Sequence, residues 1–311
     1  MASSRAFQLA ARLATSTAVL MFGLIVVGSI VRTTGSGLAC PDWPLCQGRL
    51  IPPFQFNVFM EWLHRLIALC VGLLLFATAG TVVRRRETRG PLGGLALLAV
   101  TLYLTQALLG ALTVWKLLDP SVVSGHLAVG LLLFCTLLTI ALLAREHAGP
   151  AEAAPRRARP AGLLPLFAAA TALVNAQAVL GGMVSTNHAS LACPDWPRCN
   201  RLWFPALEGL VGLQVLHRFG AYLLAVVLFS VAGASGRSQE PAVRLAGLLV
   251  PVLAVVQIAL GVANVLLGIP VWISALHLAT ATLILGTMLV ATFRLAALPA
   301  SNPAWAEAAS R

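Results

Sequence analysis

Eight stretches of the chain are apolar almost without interruption, with polar residues gathered between them: 12–31, 63–83, 92–115, 122–144, 163–184, 212–232, 243–267 and 272–294. Each approaches or exceeds the roughly 20 residues that carry an α-helix across the ~30 Å hydrocarbon core of a bilayer. None alternates with the period of two that a barrel strand shows. In lipid, only helices and closed barrels satisfy their own backbone hydrogen bonds. The pattern therefore predicts an all-α membrane protein with eight transmembrane helices. The first stretch is long and lacks a clear small-residue cleavage site before the polar loop, so it reads as a span rather than a signal peptide.

Composition agrees. Of 311 residues, 59% are hydrophobic and 10% charged, against about 25% charged in soluble domains. Mean hydropathy is +0.89. A soluble enzyme and a disordered protein are excluded. The net charge of +11 marks membrane topology rather than nucleic acid, because cytoplasmic loops collect Lys and Arg. The N-terminus, the loops 84–91, 145–161 and 233–244, and the C-terminus hold 14 of the 21 basic residues. Both termini are thus expected in the cytoplasm of a bacterial-type cell membrane. The long loops 32–62 and 185–211 are expected on the outer face.

The chain repeats itself. Leu38–Cys46 reads LACPDWPLC and Leu191–Cys199 reads LACPDWPRC, at an offset of 153. The same offset places His64-Arg65 on His217-Arg218, and an offset of 151 places Gln106, Gly110 and His126 on Gln257, Gly261 and His277. The expected organisation is two tandem pseudo-symmetric four-helix bundles: an N-terminal half over 1–146, a cytoplasmic linker over 147–162 and a C-terminal half over 163–311. With four helices in each, the repeats are parallel, related by an axis along the membrane normal.

Four of the six histidines are the repeat pairs, and each lies near the outer end of an even-numbered helix. His64 can face His126, and His217 can face His277. Two imidazoles on facing helices of a four-helix unit suit bis-histidine haem iron. Structural zinc usually closes with four ligands, and each half offers two. Arg65 and Arg218, next to His64 and His217, can pair with haem propionates or simply extend to the membrane interface. His147 and His188 lack repeat partners and read as solvated loop residues.

Cys40 and Cys46 share one outer loop, and Cys193 and Cys199 the other. Disulfides persist on that side, and the Pro-Asp-Trp-Pro between the cysteines favours a tight turn. Each pair is either a staple or a redox-active centre. Cys70 and Cys135, within helices, read as packing residues. One difference between the halves stands out: Glu61 precedes His64 by three residues, where Gln214 precedes His217. Spacing i, i+3 puts the carboxylate on the face of its histidine, and an ionisable group at the membrane edge marks a functional site.

Together these residues resemble the haem A synthase family, membrane oxidoreductases that convert haem O to haem A for cytochrome oxidase. Glu61-Trp62-Leu63-His64-Arg65 is the most specific local feature, and the paired outer-loop cysteines match one type within the family. The resemblance implies a resident haem b with its iron on His217 and His277, and substrate haem O near His64 and His126. It implies Glu61 as the catalytic carboxylate. The C8 methyl would become a formyl group in two steps through an alcohol. A haem O synthase would be the delivery partner, and a quinone or thiol protein the electron acceptor. Surrounding lipid and a homo-oligomer complete the expected partners, with no nucleic acid. Three other readings stay open on the residues alone: a di-haem b-type electron-transfer protein, a membrane thiol–disulfide oxidoreductase using the cysteine pairs, and a transporter.

Overall fold

The computed structural model describes residues 2–149 and 158–300. Among these it contains eight long α-helices: α1 (Ala2–Thr33), α2 (Phe56–Arg84), α3 (Arg86–Trp115), α4 (Pro120–Ala148), α5 (Leu163–Thr186), α6 (Gly209–Ser235), α7 (Pro241–Leu266) and α8 (Val271–Ala296). All eight are long and apolar enough to cross a membrane. The protein is an all-α integral membrane protein.

The helices outrun the apolar stretches that foretold them. The expected basic loop 84–91 shrinks to Arg85 alone, between the end of α2 and the start of α3. Arg is a good helix former, so the backbone stays helical past the edge of the hydrocarbon, where hydropathy no longer registers it. His147 likewise lies in the last turn of α4, not in a loop. Its Nδ1 sits 2.9 Å from the Leu143 carbonyl and its ring stacks on Phe7 at 5.0 Å. Asp119 starts α4 by accepting from the Ser121 amide at 2.9 Å, with Pro120 at the first helical position, where a missing N–H costs nothing. Arg156 and Arg157 lie outside the described residues.

Packing follows a simple plan. α1 touches α2 and α4, which both touch α3; α5 touches α6 and α8, which both touch α7. The two groups meet through α1 against α8, α4 against α5, and α4 against α8. Fully buried Leu131, Leu137, Phe167, Leu285 and Met288 fill this junction within one apolar core. The outer helices present leucines such as Leu97, Leu223 and Leu248 to the surroundings, as a lipid-facing surface requires.

Local structure recurs with the sequence. After α1 the chain makes a short 3-10 turn over Ser36–Leu38, and after α5 another over Ala189–Leu191. Antiparallel bridges Cys46–Arg49 and Cys199–Leu202 then close matching loops.

Candidate functional site

One cavity of about 590 Å3 is lined by residues from all eight helices. It falls within the ~300–1,000 Å3 range of ligand and cofactor pockets. His64, His126, His217 and His277 all line it, with Glu61, Arg65, Gln214 and Arg218. Trp43, Pro44 and Trp196 of the two cysteine loops line it as well. The sequence-nominated residues other than the cysteines therefore share one space.

The histidines are placed alike. His64 and His217 lie eight residues into α2 and α6, and His126 and His277 six residues into α4 and α8. Each imidazole rests on a glycine of the preceding helix. A Cβ added at Gly28, Gly110, Gly181 or Gly261 would lie 3.2, 3.5, 2.9 or 3.0 Å from Cε1 of His64, His126, His217 or His277. At Gly28, Gly181 and Gly261 a side chain would crowd the ring, whereas at Gly110 the contact would be ordinary. His64 lies within electrostatic reach of His126, and His217 of His277.

The polar atoms around the cavity are under-satisfied. Nδ1 of His64, His126 and His277, and Oε1 of Gln106, Gln214 and Gln257, are buried with no protein partner. Each such atom costs about 1–3 kcal/mol when left unpaired, so a cluster of them marks a place built to hold something else. Paired imidazoles among apolar walls fit haem iron, and the residues present fit that group.

Two of the histidines have a glutamine beside the ring: Gln257 Nε2 lies 3.3 Å from His277 Nε2, and His217 is met at the other ring nitrogen. The Gln177 side-chain nitrogen reaches its Nδ1 at 2.9 Å and donates to its main-chain carbonyl at 2.7 Å. The position 153 residues earlier is Leu24, so His64 has no such neighbour. Gln177 escaped the sequence reading because its repeat partner is apolar; that mismatch was the available signal.

Glu61 and Gln214 are both 4% exposed. Glu61 Oε2 accepts from the Cys40 backbone N–H at 2.8 Å, and Oε1 from the Arg65 guanidinium at 2.5 Å. Gln214 instead donates to the Ser190 carbonyl at 3.2 Å.

The arginines do something the sequence did not reveal. Arg65 Nη1 donates to the carbonyls of Asp42 (2.6 Å) and Leu45, and Nη2 donates to that of Cys40 at 2.9 Å. Arg218 reaches the equivalent carbonyls of Asp195, Arg198 and Cys193 at 3.0, 2.9 and 2.7 Å. They tie each cysteine loop down onto its helix.

Cys40–Cys46 and Cys193–Cys199 both form disulfides, and all four cysteines are buried. Exchange with a partner thiol needs an accessible sulfur, so this burial fits a staple. Asp42 and Asp195 close the turns by accepting two backbone N–H bonds each, at 2.6–2.8 Å. The Gly48 N–H above all holds the Asp42 carboxyl below its ordinary range, and the Arg201 N–H does the same for Asp195.

A profile of the COX15-CtaA family, described as cytochrome oxidase assembly protein, matches residues 11–289. Similar curated proteins are named haem A synthase. One from Methylobacterium radiotolerans is 31% identical, covering 87% of this chain and 86% of its own. Another from Rhizorhabdus wittichii is 30% identical over 88% and 90%, and one from Shewanella oneidensis 28% over 88% and 93%.

Proposed function

Since the chain belongs to the COX15-CtaA family of cytochrome oxidase assembly proteins, we propose that it is a haem A synthase, an oxidoreductase that converts haem O to haem A. The chemistry is oxidation of the C8 methyl group to a formyl group in two steps, with an alcohol between them. Residues 1–146 form the substrate half, where His64 and His126 hold haem O. Residues 163–311 form the other half, where His217 and His277 hold haem b. Haem b, when bound, supplies one-electron redox chemistry.

The observation that carries this reading is the broken pair Glu61/Gln214. Both side chains are buried and line the cavity near their histidines, yet one can hold a negative charge or accept a proton and the other cannot. Glu61 is held by the Cys40 amide and Arg65, so its free lone pairs are aimed rather than wandering. A carboxylate beside the ring can take the proton of an attacking water or stabilise positive charge developing at the benzylic-type carbon. The amide of Gln214 suits a half that stores a cofactor. The outer-face location of both sites follows from the charge asymmetry, with the termini in the cytoplasm. A haem O synthase is the expected donor, and a quinone or the disulfide form of a thiol protein the electron acceptor. Association with further copies of the chain belongs to the same reading.

The test is Glu61→Gln, made in the full-length chain and followed by extraction and chromatography of its haems. Expected are wild-type haem content and at least a hundredfold less haem A, the low end for a general acid–base group. Normal haem A from that variant would overturn the assignment. Haem b at two per chain, unchanged when haem O is supplied, would favour the electron carrier.

A further inference from the structure

Three arginines line the cavity: Arg32, Arg65 and Arg218. Arg65 and Arg218 spend their terminal N–H groups on loop carbonyls. The Arg32 side chain, at the end of α1, makes one hydrogen bond among the described residues, from Nη2 to the main-chain carbonyl of Ser185 at 2.6 Å. The single carboxylate–cation pair among the described residues is Glu61 with Arg65. Arg32 is thus a half-buried cation in a membrane-spanning helix, with unspent donors and no acidic side chain to balance it. Buried charges are ordinarily paired.

The partner is informative. Arg32 and Ser185 are separated by 153 residues, the offset that superposes the two outer loops. They are the same position of the two repeats. Two repeat-related positions in contact lie where the repeats meet, so Arg32 stands between the His64/His126 pair and the His217/His277 pair. The repeat is broken there as it is at Glu61: one side has a guanidinium, the other a serine.

We propose that Arg32 is a carboxylate-binding residue of the cavity, and that its fork holds a propionate of the tetrapyrrole bound there. This rests on the haem reading above. It moves the anionic subsite from Arg65 and Arg218, which fasten the loops, to the junction of the halves. A guanidinium binds a carboxylate through two parallel N–H bonds. With Nη2 anchored on Ser185, the remaining N–H groups are oriented before the ligand arrives.

The experiment is an absorbance titration of the purified full-length chain with haemin and, separately, with haemin dimethyl ester, whose carboxylates are capped. Wild-type protein is expected to favour haemin by about tenfold or more, the usual worth of a charge-assisted pair. Arg32→Gln is expected to remove that preference while leaving ester binding unchanged. Arg32→Met, which keeps the bulk of the stem, serves as the second variant, and melting curves report whether each is folded. Equal weakening for both probes would make Arg32 structural and overturn the proposal, as would a preference that survives in either variant. Repeating the titration in His126→Ala and His277→Ala backgrounds assigns the carboxylate. An Arg32 effect that disappears with His126 places it on the substrate side, and one that disappears with His277 on the haem b side. Failure of the wild type to bind either probe saturably would instead sink the haem reading itself.

Discussion

Adding one methyl group at Gly181 tests how the histidines are seated. The new Cβ would lie 2.9 Å from Cε1 of His217, where ordinary contact begins near 3.4 Å. Retreat of the ring is not free, because Gln177, one turn before Gly181 on the same helix, holds its Nδ1 at 2.9 Å and that bond would be lost. Overpacking of this kind costs about 1–3 kcal/mol, and it falls on the ring that must meet the iron. A loss of roughly 5- to 150-fold in haem affinity follows. Gly110→Ala is the control: its Cβ would stand 3.5 Å from Cε1 of His126, an ordinary contact, and alanine favours the helix by about 1 kcal/mol. It should keep its haem and melt slightly higher. Gly261→Ala and Gly28→Ala, at 3.0 and 3.2 Å, should rank between them. The assay is haem per chain by extraction, with a haemin titration and a melting curve for each variant. Equal haem loss in Gly110→Ala and Gly181→Ala, or wild-type binding by Gly181→Ala, would refute the seating argument.

Replacing both cysteines of one loop by serine should loosen that loop by about 2 kcal/mol, the loop-entropy value for a six-residue separation. Limited proteolysis should detect this in either loop, but haem A formation should fall further for Cys40/Cys46, because the Cys40 amide holds Glu61. Equal activity losses would separate the loop from the carboxylate. The loops should also respond to acid. The folded-state carboxyls of Asp42 and Asp195 titrate below their ordinary range, so their contribution is present at neutral pH and is lost as pH falls through those lowered values. Quenching of Trp43 and Trp196 fluorescence should stay flat from neutrality to about pH 4 and rise only below it. A rise near pH 6 would contradict the carboxylate account.

Hydropathy alone exposed the eight helices, since a span buried in lipid cannot hide its apolar run. It misplaced their ends, because Arg84, Arg86 and Arg89 continue a helix in water as readily as they interrupt an apolar window. The four histidines and Glu61 were legible from the repeat, and the cavity gathers all of them. Gly28 and Gly181 were equally available at the offset of 153, yet a glycine in a membrane helix attracts no notice until a ring is seen against it. Arg32 and Gln177 were hidden for the opposite reason. Their repeat partners, Ser185 and Leu24, do not resemble them, and search by similarity passes over such positions. What Arg65 and Arg218 hold could not be read at all, because their partners are main-chain oxygens, which carry no letter in the sequence.

That last feature reaches beyond the site. Arg65 and Arg218 grip peptide carbonyls, among them those of Leu45 and Arg198, two residues with nothing chemically in common. The grip is blind to the letters of the loop and sensitive only to its shape. Each loop is in effect a cassette clipped onto a helix through main-chain groups, by one guanidinium together with Glu61 in the first loop and Gln214 in the second. The loop surface of this enzyme can therefore drift, acquire new neighbours or be re-engineered, while the helix turn carrying Glu61, His64 and Arg65 stays in register beneath it.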